Sequence, residues 1–132
     1  MNYVISTTLQ RSYDNTVSDV RDALAEQGFG VLTEIDLKAA LKEKLDVDIA
    51  PQIILGACRP QLAHEAIQAE PSIAALLPCN VVVRSLDPDT TVVEAFDPDA
   101  MVAMVDNVAV QAVAADARQR LNAVFAALNE EN

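Results

Sequence analysis

The sequence predicts an α+β domain: a mostly antiparallel sheet of about five strands, in the order β-α-β(4)-α, with helices packed on one face. Three observations carry that expectation. Extended segments recur along the chain, several of them with a period of two. Helical segments with their own start and stop signals stand between them. Two β-rich runs are joined by the short turn Asp87-Pro88-Asp89-Thr90. At 132 residues the chain fits a single domain, residues 1–132, and 52% hydrophobic content is ample for one core. With no tryptophan, three phenylalanines and two tyrosines, that core must be built from Val, Ile, Leu and Ala.

Each element has its own signal. Tyr3, Ile5, Thr7 and Leu9 alternate with Val4, Ser6 and Thr8, which predicts a half-buried first strand. Thr16 with Asp19 resembles a capping box, and Val17, Val20 and Leu24 follow at helical spacing until Gly28 stops the helix. From Phe29 to Ile35 the pattern is extended again, with Phe29, Val31, Thr33 and Ile35 on one face and Leu32 and Glu34 on the other. Asp36 can cap a second helix whose apolar stripe is Leu37, Leu41 and Leu45.

Past Pro51, the wholly apolar run Ile53 to Cys58 suits a strand buried on both faces, and its Gly56 allows a close approach to the backbone. Pro60 opens a helix carrying Leu62, Ala66 and Ile67, and Pro71 and Pro78 bracket a short turn. Asn80 to Leu86 and Thr91 to Phe96 then form a hairpin. Asp97-Pro98 caps a helical segment, and Val110, Val113, Ala117, Leu121, Val124 and Leu128 mark the long last helix. If the second sheet face stays apolar it needs cover, so a homodimer is expected.

Nine lysines and arginines against twenty acidic residues leave a net charge of −11, which repels nucleic acid and anionic membrane surfaces. No apolar run approaches the length of a membrane span, and no basic segment leads into an apolar one at the N-terminus. The expected location is therefore cytoplasmic, where two cysteines stay reduced thiols rather than a structural disulfide.

Five ordered blocks then carry a resemblance. They are Gly28-Phe29-Gly30-Val31-Leu32-Thr33-Glu34-Ile35-Asp36, Leu41-Lys42-Glu43-Lys44-Leu45, Ile54-Leu55-Gly56-Ala57-Cys58 with Pro60, Ala69-Glu70-Pro71, and Leu76-Leu77-Pro78-Cys79-Asn80-Val81-Val82-Val83. Together they resemble the family called domain of unknown function 302. The resemblance implies a TATA-binding-protein-like α+β fold with homodimeric members. It implies no activity. Its signature positions here are Glu34, Asp36, Lys38, Gly56, Cys58, Pro60, Pro78, Cys79 and Asn80.

The only two thiols, Cys58 and Cys79, each stand where an apolar run meets a Pro-marked break, so the fold could gather them at one sheet end. They mark either a site or an inert part of the core. A ligand or thiol site would draw on Cys58, Cys79, Asn80, Glu34, Lys38 and Arg59, with Arg59 or Lys38 supplying positive potential. Cys58, His64 and Cys79 would make only three metal ligands, one short of structural zinc, so no metal or other cofactor is assigned. Phosphate loops, Ser/His/Asp sets and Cys-x-x-Cys motifs are absent, which favours a noncatalytic role. The leading expectation is a dimeric module for a small-molecule ligand. The alternatives are a thiol-dependent redox or metal-handling protein and an interaction module without a pocket.

Overall fold

A computed structural model describes residues 2–130. Strands β1 (Val4–Leu9), β2 (Gly30–Asp36), β3 (Gln52–Cys58), β4 (Cys79–Asp87) and β5 (Thr90–Phe96) form one sheet in the order β1-β5-β4-β3-β2. Every neighbouring pair is antiparallel, as the period-two segments and the 87–90 turn predicted. The helices are α1 (Tyr13–Glu26), α2 (Leu37–Leu45), α3 (Pro60–Ala69), α4 (Pro98–Val102) and α5 (Val108–Glu130), with a 3-10 turn at Pro71–Leu76.

Alternate residues of the strands build the core. Leu9, Leu55, Ala57, Val81, Val83, Val93 and Ala95 share one face, and Val20, Ala23 and Leu24 of α1 and Leu121, Val124, Phe125 and Leu128 of α5 pack onto it. Each fully buried Leu or Val there contributes about 1.5–3 kcal/mol relative to exposure. The opposite face carries Val4, Ile35, Ile54 and Val82, none of them fully buried, beside the ion pair of Arg84 and Glu94. One side of the sheet is finished by helices and the other is not.

Three local expectations change. Helix α1 starts before Thr16, because Ser12 is the residue that caps it, its hydroxyl accepting from the amide of Asn15 at 3.3 Å. Thr16 is instead fully buried in the first turn, donating its hydroxyl to the Ser12 carbonyl at 2.7 Å. In β2 the strict alternation fails at a bulge between Val31 and Thr33, with Leu32 as the extra residue. Val31 lies opposite Ala57 and Glu34 opposite Leu55, so those two share the helix-covered face while Thr33 and Ile35 turn to the other.

The third change concerns α2. Asp36 caps it as expected, accepting from the Ala39 amide at 2.9 Å, but the stripe of Leu37, Leu41 and Leu45 buries nothing completely. The helix is only nine residues long and follows an edge strand, so its apolar face meets mainly β2 and β3 and leaves Leu37 and Leu41 half-buried. Leu45 remains 66% exposed.

Candidate functional site

The sheet end where β3 finishes and β4 begins lies close to α3, α4 and the first half of α5. Between these elements is an apolar cleft enclosing about 60 Å³ open to water-sized molecules. Its walls include Phe29, Leu62, Leu77, Met101, Val113 and Ala114. Local sequence explains the opening: Pro60 and Pro71 start short helical pieces, and α5 presents Val113, Ala114 and Ala117 here rather than larger side chains.

Cys58, Arg59 and Cys79 also line the cleft. The thiols are not a pair, however. Ala57 is the residue opposite Cys79, so Cys58 falls out of register with it and, by alternation, belongs to the other side of the strand. Both are free and not adjacent, which corrects the expectation of a cysteine pair. The Cys79 thiol donates to the Phe96 carbonyl at 3.5 Å. Burial, helped by the nearby Asp97 carboxylate, pushes Cys79 up to about 11. Burial raises Cys58 as well. Both stay protonated near neutrality, the less nucleophilic form.

The remaining predicted residues lie away from this cleft. Glu34 forms an ion pair with Arg21 beside α1. The ammonium of Lys38 donates to the Ile49 carbonyl at 2.7 Å. Asn80 lies opposite Gly56 on the far face and is exposed. His64 is exposed on α3, and no group of three or more His, Cys, Asp or Glu side chains that could hold a metal occurs among the described residues.

Arg59 is held in a built position. Gly28 has φ +82, and a Cβ there would lie 3.0 Å from the Arg59 Nε, so a larger residue would be strained in the turn and would push this side chain aside. At Gly56 the same test finds Thr33 and Pro78 against the backbone, which leaves no room for any side chain. Close approach was expected at Gly56 from its place in an apolar strand, whereas Gly28 read only as a helix stop.

Sequence reasoning missed the hydrophobic walls, because Leu62, Met101 and Ala114 look like any core residues at helical spacing. It also missed Arg118, whose guanidinium joins the caps of α4 through Asp97 at 3.2 Å and Asp99 at 2.5 Å. That lock fixes α4, and with it Pro98 and Met101, at the rim of the cleft. Asp97-Pro98 signalled the helix start, but nothing in the sequence linked it to a residue twenty-one positions on.

Residues 5–128 match the model of the family described as "Domain of unknown function DUF302". A solved structure described as an uncharacterized conserved protein DUF302 from Bacillus stearothermophilus has a TM-score of 0.87 to this chain, with 27% sequence identity. The likeness covers 97% of this chain and 99% of that one. No curated protein matches.

Proposed function

We propose that this protein, which belongs to the DUF302 family, is a noncatalytic module that takes up a small, largely apolar molecule in the cleft between the sheet end, α3, α4 and α5. The observation that carries the reading is the character of the opening: a space walled almost wholly by apolar side chains, with a few polar groups among them. The six residues put forward from sequence narrow to Cys58, Arg59 and Cys79 as wall residues. A thiol-dependent role has less support, since burial disfavours the thiolate at both cysteines.

The test is an amide NMR titration with hexan-1-ol or toluene. Shifts concentrated at residues 57–63, 77–79 and 110–117 support the proposal; shifts scattered over the surface, or none, contradict it.

The module works as a homodimer in this reading. The sheet face bearing Val4, Ile35, Ile54 and Val82, and the unburied leucines of α2, are the surfaces a second copy would cover. Replacing Ile54 by Arg should turn a dimer into a folded monomer in sedimentation experiments. A wild-type protein that is monomeric at high micromolar concentration removes this part of the proposal.

A further inference from the structure

We infer that the cleft receives a small organic anion, a carboxylate on a short hydrocarbon body, with Arg59 holding the carboxylate. The inference rests on the ligand-binding reading above and adds the chemistry of the ligand. Arg59 is the only charged residue among those lining the cleft. The sequence has six arginines, and five of them meet a carboxylate: Arg11 with Asp19, Arg21 with Glu34, Arg84 with Glu94, Arg118 with Asp97 and Asp99, Arg120 with Asp116. The Arg59 side chain forms no ion pair or hydrogen bond among the described residues, although the chain offers twenty acidic side chains.

The Arg59 Nε is also buried without a partner. A buried donor on a charged group is costly to leave unmatched, so an arginine kept this way beside a cavity fits a role completed by a ligand. Its placement is specific, because the Gly28 turn leaves the slot that the side chain occupies. Arg59 is in addition the residue preceding α3, a ten-residue helix whose first turn has no side-chain cap. The uncapped amides of that first turn add positive potential at the helix start that follows Arg59.

Size and shape narrow the ligand further. About 60 Å³ corresponds to roughly four to six water-sized positions, enough for a short hydrocarbon chain but not for a nucleotide. The planar fork of a guanidinium matches a carboxylate. Leu62, Val113 and Ala114 then cover the hydrocarbon body.

Isothermal titration of the intact protein with the straight-chain acids from butanoate to octanoate, and with the matching primary alcohols, tests this directly. The acids should bind at least tenfold more tightly than their alcohols. In Arg59→Met that preference should vanish while alcohol binding persists, and Arg59→Lys should keep part of it. Equal binding of acids and alcohols by the wild type, or an undiminished preference in Arg59→Met, overturns the carboxylate assignment and leaves the apolar cleft standing. Binding of neither series overturns both.

Discussion

The two halves of α5 cover the same sheet with different results. Val124, Phe125 and Leu128 join Leu55, Val83 and Val93 and, with Leu24 of α1, form one buried cluster under that half of the helix. Nearer its start the same helix offers Val110, Val113, Ala114 and Ala117, and there the layer stays open as a cleft. The helix does not change; the side-chain volumes do. A ligand site can therefore arise on a rigid scaffold simply where a helix face shrinks over a sheet end, with no special loop.

Substitutions can break this contrast, and the largest effect belongs to the closed half. Leu128→Ala should cost about 2–5 kcal/mol in denaturant unfolding, because the neighbours of a residue only 1% exposed cannot collapse into the void. A cost under about 1 kcal/mol would mean that this half also has slack. Enlarging side chains separates the halves next. Ala95→Leu, on the sheet beneath the helices and 0% exposed, should lose about 1–3 kcal/mol through overpacking. Ala117→Leu, at the cleft, should change stability by less than about 1 kcal/mol because space is already present. Equal losses at both sites would erase the distinction.

The smallest effect is on the thiols. Burial holds Cys79 at about 11, above its ordinary 9.0, so the unfolded chain gives up this proton first. Stability from this group is intact below pH 9 and falls as the pH climbs through about 11, and Cys79→Ser should flatten that part of the profile. Rapid modification of native Cys79 by a thiol reagent at pH 7 would show that the burial is wrong.

Much of the fold was legible because its signals are local. Alternation in Tyr3 to Leu9, the Asp87-Pro88-Asp89-Thr90 turn and the Asp36 cap each depend on a few neighbours, and the structure repeats them. The bulge at Leu32 was not legible, because an added residue in a strand leaves no compositional trace and reverses every later side chain. The site was legible only in part. Cys58, Arg59 and Cys79 were found because proline breaks frame them, whereas the cleft depends on the relative sizes of residues more than fifty positions apart, such as Leu62 and Ala114. The isolation of Arg59 is likewise a statement about where twenty carboxylates are not.

A crystal of the protein under xenon pressure measures the open half most directly, since xenon enters dry apolar space and ignores packed cores. The expected result is a xenon site bordered by Leu62, Met101 and Ala114, abolished by Ala117→Leu, and none among Leu55, Val93, Val124 and Leu128 in the closed half. A xenon site confined to that closed half, or no xenon in the cleft, would contradict the contrast between the two halves.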